Sequence, residues 1–156
     1  GNLDRGDDGA AFHVVNRLRE RLGQRPLKAE DSGLEDLAGQ AAVFVPQLTP
    51  ELALDAAPYR RLVLVDAHVT ADARPLIRRR LEPEYLPPAV SHVLPPAMLL
   101  WLVQGVSGRS QTAFLVSLRG HCFDPRRGLS PKTSALVEPA AESVLELIRG
   151  APAAEM

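Results

Sequence analysis

Two adjacent carboxylates, Asp7 and Asp8, stand between glycines in the opening stretch GNLDRGDDGAAFHVV, and an apolar helical pattern follows them at once. Asp is a favoured helix N-cap, and acids in a first helical turn suit the helix dipole. Carboxylates held on a turn also suit a divalent cation. Taken alone the pair reads as a helix start; taken with Asp66 and His92 further along the chain, Asp8 is read as the site residue and Asp7 as the cap. A third acid, Asp66, ends an otherwise apolar run, RLVLVDA. Its desolvation has to be met by a hydrogen-bonding neighbour or by a bound ion. His92 lies in the proline-rich stretch EPEYLPPAVSHVLPP, either as a satisfied polar residue or as a ligand. Together Asp8, Asp66 and His92 supply two carboxylates and one imidazole. That set binds a borderline divalent metal and leaves positions open for water or substrate. His68 competes for the imidazole role, because an extended chain points residues i and i+2 the same way. His13 falls on the polar face of the first helical pattern and is expected to be solvated.

Other chemistries fit less well. Cys122 follows His121 directly, and adjacent strand side chains point to opposite faces, which disfavours a Cys–His dyad. GVSGRS lacks the spacing of a nucleophile elbow and precedes a strand rather than a helix. There is no G-x-x-x-x-G-K-[ST] phosphate loop, so no nucleotide is expected. The run Arg78 to Arg80 is expected to be a solvated strand edge that can attract an acidic surface.

These residues need elements to hold them. The first helix is expected over 8–22, with Ala11, Val14, Val15, Leu18 and Leu22 on one face and Arg17, Arg19, Glu20 and Arg21 largely elsewhere. Gly23 ends it. SGLEDLAG reads as a short helix capped by Ser32. AAVFVPQ reads as a buried strand from Ala41 to Pro46, followed by a helix with Thr49 as N-cap and Pro50 at its first position. Arg61 to Ala67 is a near-continuous apolar run suited to a strand covered on both faces. Arg74 to Leu81 is expected at a sheet edge, a helix over 96–104, and a further buried strand from Thr112 to Gly120. The last helix starts with Ser130 as N-cap and Pro131 at its first position, and should kink at Pro139. Residues 151–156 read as a frayed tail.

Strands alternating with helices predict an α/β fold: a twisted, mostly parallel sheet with helices on both faces, a three-layer α/β/α arrangement. Sites in such sheets form beyond the carboxyl ends of the strands, which is where Asp66 falls. The chain has 156 residues, so one domain over 1–156 is expected, and 46% hydrophobic residues suffice for a core. A formal net charge of −1 argues against a general nucleic-acid binder. One cysteine excludes an internal disulfide framework and a multi-cysteine zinc site, and fits a reducing compartment such as the cytoplasm. No apolar run is long enough to span a membrane, and no signal-peptide pattern opens the chain.

In order along the chain, these motifs resemble the hydrogenase maturation protease family, endopeptidases that trim the C-terminal extension of the nickel–iron hydrogenase large subunit. GNLDRGDDGAAFHVV resembles the family's G-N turn, acid pair and first helix. VPQLTPELA resembles its second strand-to-helix junction, LVLVDA its V-D-A strand end, VSHVLPPAMLLWL its S-H loop and helix, and GHCFDPRRGLSPKTSALVEPA its late G-L-S-P segment. The resemblance covers essentially the whole chain, although residues 24–40 are longer than the family pattern. It implies that Asp8, Asp66 and His92 are the metal-contacting site residues, Asp8 standing where some members have Glu. It implies a precursor of the large subunit as partner and substrate, with nickel carried by that substrate and contacted by the enzyme. It also implies a first strand ahead of the G-N turn, expected upstream of Gly1. Two other readings stay open: a peptidase or amidase with its own resident zinc, and a non-cleaving chaperone that binds nickel or the precursor.

Overall fold

The computed structural model describes residues 1–70, 74–87 and 93–150. Three strands form one sheet in the order β1-β3-β2: β1 (Arg61–His68), β2 (Leu76–Leu81) and β3 (Thr112–Arg119). β1 runs parallel to β3, with Asp66 opposite Ser117 and His68 opposite Arg119. β2 runs antiparallel along the other edge of β3. The sheet is therefore mixed: the expected parallel pair is present, and the expected edge strand is the antiparallel one.

Strands β1 and β3 carry side chains to two cores, as their largely hydrophobic runs require. On one face, Val63, Val65, Phe114, Val116 and Leu118 pack against α1 (Ala10–Arg21) and α5 (Val137–Arg149). On the other, Leu62, Leu64 and Ala113 pack beneath α3 (Pro96–Ser107), where Leu99, Leu100 and Val103 are buried, while α2 (Leu52–Ala56) packs on α3. The expected α/β/α layering follows from this alternation. Among the described residues no helix is long and apolar enough to cross a membrane.

The expected strand over Ala41–Pro46 does not form among the described residues. Ala42 and Phe44 are buried, so the apolar run was a true signal of burial. A strand also needs a backbone partner, and these backbone groups go elsewhere. The Arg19 guanidinium donates to the Ala42 carbonyl at 2.8 Å, and Phe44 N–H donates to the Ser32 carbonyl at 2.9 Å. Arg19, expected on the polar side of the first helix, is 2% exposed. Its Nε also donates to the Arg25 carbonyl at 2.6 Å, so one buried cation fastens 25–42 to α1.

The chain around Pro139 breaks rather than bends. α4 (Pro131–Ser134) ends before Ala135, and α5 begins at Val137. Proline at 139 has no N–H for the carbonyl four residues earlier and crowds it, so the disruption falls at Ala135 and not at the proline itself. The start of α4 agrees with expectation: Ser130 is the N-cap, its Oγ accepts from Thr133 N–H, and Pro131 follows. Arg79 and Arg80 are exposed, as expected of a sheet edge. Arg78 is buried on the α5 face, where its guanidinium lies 2.7 Å from the Glu146 carboxylate. Strand alternation separates Arg78 from Arg79.

Gly6 marks the tightest crossing of the opening turn. Its φ is +54°, and a Cβ there would stand 2.5 Å from the Cys122 carbonyl oxygen. We expect Gly6→Ala to lower stability by about 2 kcal/mol or more, because backbone strain and a backbone clash combine. Urea unfolding of the variant beside the wild type measures this.

Candidate functional site

Asp66 lies on β1 two residues before its C-terminal end, exposed, in the row that begins with Leu62 and Leu64. Those two residues are covered by the helical layer of α3, so Asp66 stands where the row leaves that cover. Its Oδ1 accepts the N–H of Ala67 at 2.9 Å. That bond orients the carboxylate and leaves its other lone pairs open. This is the strand-end position predicted from the sequence.

Asp8 belongs to a 3₁₀-helical turn, Gly6–Gly9, which packs against β1. Its backbone carbonyl accepts from Asn2 N–H at 3.2 Å, closing the G-N turn, and Asn2 Oδ1 accepts from Asp4 N–H at 2.9 Å. The Asp8 carboxylate is half-buried and makes no hydrogen bond or ion pair among the described residues. His92 and the adjoining Ser91 lie outside the described residues, as does the tail 151–156. Among the described residues no three His, Cys, Asp or Glu side chains gather as a metal centre. Asp8 and Asp66 therefore stand as two carboxylates on adjoining elements.

Asp7 has a different task from the capping role expected of it. Neither the 3₁₀ turn nor α1 is capped by a side chain. Asp7 is fully buried, and its carboxylate reaches across to the segment after β3. Oδ2 accepts the N–H groups of His121 at 2.7 Å and Cys122 at 2.9 Å, and Oδ1 accepts the N–H of Ser130 at 2.7 Å. The hydroxyls of Ser130 and Thr133 lie 2.7 and 2.8 Å from Oδ2. Burial pushes this carboxyl's pKa up, but the bonds from His121, Ser130 and Cys122 outweigh it and hold the group well below the usual carboxylate range. The backbone completes the tie: Gly6 N–H donates to Arg126 O and Asp7 N–H to Cys122 O, each at 2.8 Å. A short helical turn is thus fastened to the sheet's far loop, and Asp8 is fixed one residue further on. No local signal announces this, because the partners are more than 110 residues away in sequence.

His121 and Cys122 thus serve the fold through their backbone N–H groups. Ser107 of GVSGRS sits at the end of α3, with its Oγ taking a bond from Gln111 Nε2 at 2.7 Å. Gln111 precedes β3, so this serine lies at the opposite end of the parallel strands from Asp66. His13 is half-buried rather than solvated, and burial lowers its pKa. With Asn16, Arg17 and Glu138 it lines a cleft of about 550 Å³ on the α1–α5 layer, away from the face that carries Asp66.

His68 is on β1 beside Asp66, as the i, i+2 spacing predicts. Its Nδ1 lies 2.7 Å from Ser117 Oγ on β3. Ser117 escaped the sequence reading because only the strand register brings it to Asp66 and His68.

The chain matches no family profile and no curated protein sequence. Its fold does match solved structures. One is the hydrogenase maturating endopeptidase HybD from E. coli, with a TM-score of 0.63 at 20% identity over 97% of this chain and 90% of that one. Another is the nickel–iron hydrogenase maturation protease HycI from Thermococcus kodakarensis, with a TM-score of 0.60 at 20% identity over 96% and 88%. HybD from the same archaeon gives 0.61 at 17% identity over 94% and 93%. The chain has the fold of the hydrogenase maturation endopeptidases.

Proposed function

We propose that this chain is a cytoplasmic endopeptidase that removes the C-terminal extension of a nickel–iron hydrogenase large-subunit precursor. In this reading it recognises nickel already loaded into that precursor through Asp8, Asp66 and His92. The observation that carries the reading is the standing of Asp66: an exposed carboxylate near the end of a half-buried parallel strand, with the turn bearing Asp8 packed on that strand, in a fold shared with maturation endopeptidases. Two carboxylates and one imidazole suit nickel and leave its coordination sphere incomplete, as a metal also held by the substrate requires. Asp7 keeps the turn rigid, so Asp8 need not be ordered at the moment of binding.

Cleavage tests this. Purified protein is mixed with a precursor prepared with and without nickel, in the absence of ATP, and the shortened product is measured. The expected result is cleavage of the nickel-loaded form alone. Equal cleavage of both forms overturns metal recognition and favours a peptidase with its own zinc. Binding of the loaded precursor without cleavage identifies a chaperone.

A further inference from the structure

We propose that His68 is a further metal-contacting residue of this site, presenting Nε2 as a nitrogen donor beside Asp66; the inference rests on the reading of Asp66 as a nickel contact. The two side chains leave β1 on the same face, about 7 Å apart at their bases by strand geometry. The Ser117 hydroxyl holds the imidazole at Nδ1. A ring that donates Nδ1–H to an oxygen keeps a lone pair on Nε2, the arrangement that orients metal-binding histidines. Nε2 is buried and has no hydrogen-bond partner among the described residues. A buried polar atom without a partner calls for a ligand or a function.

Three other buried side-chain atoms in that condition among the described residues lie elsewhere. Gln24 follows α1, Gln111 precedes β3 at the opposite end of the sheet, and Ser143 is on α5. Among the described residues, only His68 combines an unpartnered nitrogen with a position next to an exposed carboxylate at the strand ends. Asp66 is exposed and Nε2 is covered, so the pair forms one wet and one sheltered donor at the same edge. Imidazole and carboxylate together favour nickel or zinc over calcium or magnesium.

The test uses Ni²⁺ alone, titrated into the purified chain by calorimetry, with the absorption bands of Co²⁺ as a report on nitrogen ligation. Wild type should bind, and His68→Gln and His68→Leu should each weaken Ni²⁺ by at least about tenfold and shift the Co²⁺ bands. Ser117→Ala should weaken it by about tenfold as well, since groups that orient a ligand carry effects of that size. His68→Leu should also raise the melting temperature, because it removes an unpartnered buried nitrogen. Nickel affinity unchanged in both His68 variants overturns the proposal, as does a wild-type chain that binds no Ni²⁺. If Asp66→Asn loses nickel while the His68 variants keep it, His68 alone leaves the site. If the wild type fails to cut a nickel-loaded precursor while both positions still govern Ni²⁺ binding, the protease reading falls and the His68 assignment stands.

Discussion

Asp8→Asn is expected to cut processing of a nickel-loaded precursor by at least about 100-fold, the upper end of what even groups behind a metal ligand cost. Its melting temperature should stay within about 2 °C of the wild type. Both halves follow from the same observation. The Asp8 carboxylate makes no hydrogen bond or ion pair among the described residues, so the fold loses nothing specific when its charge goes. Substitutions at such positions stay within about 0.5 kcal/mol. A metal contact is a different matter, because the amide is a far poorer donor to nickel than the carboxylate. Asp66→Asn should behave in the same way. Product formation on nickel-loaded precursor and a thermal melt of the same sample check this. A processing-competent Asp8→Asn protein removes Asp8 from the site.

The neighbouring residue is expected to give the opposite result. Asp7→Asn should lower stability by about 3 kcal/mol, read from urea unfolding, whatever it does to processing. An amide keeps one acceptor oxygen and turns an NH₂ toward N–H groups that need acceptors. With Oδ2 taking His121 and Cys122 and Oδ1 taking Ser130, no orientation of the amide satisfies all three. The pH dependence follows from the depressed pKa. A carboxyl that is more acidic folded than unfolded contributes stability that is complete above its unfolded pKa, about 3.8, and is lost as pH falls below that value toward the folded one. Wild-type stability should therefore decline more steeply below about pH 4 than that of Asp7→Asn, with the two curves converging in acid. Parallel curves would mean that Asp7 is not ionised in the folded chain.

Two acids, adjacent in sequence and indistinguishable by propensity, thus differ in their surroundings: Asp7 is buried and bonded, and Asp8 is half-buried with a carboxylate that has no partner among the described residues. Nothing in GDDG separates them. Asp7 points at donors that come from the other end of the chain, and Asp8 does not.

Much of the frame was legible locally. The apolar runs at Leu62–Val65 and Phe114–Leu118, the second broken only by Ser117, specify strands that meet a core on each face, half-buried in β1 and largely buried in β3. The Ser130–Pro131 start of α4 and the stop of α1 just before Gly23 were equally plain, since caps are decided within one turn of chain. The position of Asp66 at a strand's end follows from where its apolar run stops. Tertiary structure decided what depends on distant partners. AAVFVP carries the apolar run of a buried strand but has no strand beside it among the described residues, and Arg19 takes one of its carbonyls. The antiparallel course of β2, the burial of Arg78 against Glu146, the tie at Asp7 and the pairing of His68 with Ser117 all join segments tens of residues apart. Side-chain type and spacing govern burial and local geometry, whereas the partner of a buried polar group is set by which distant segment the packed core brings within about 3 Å of it.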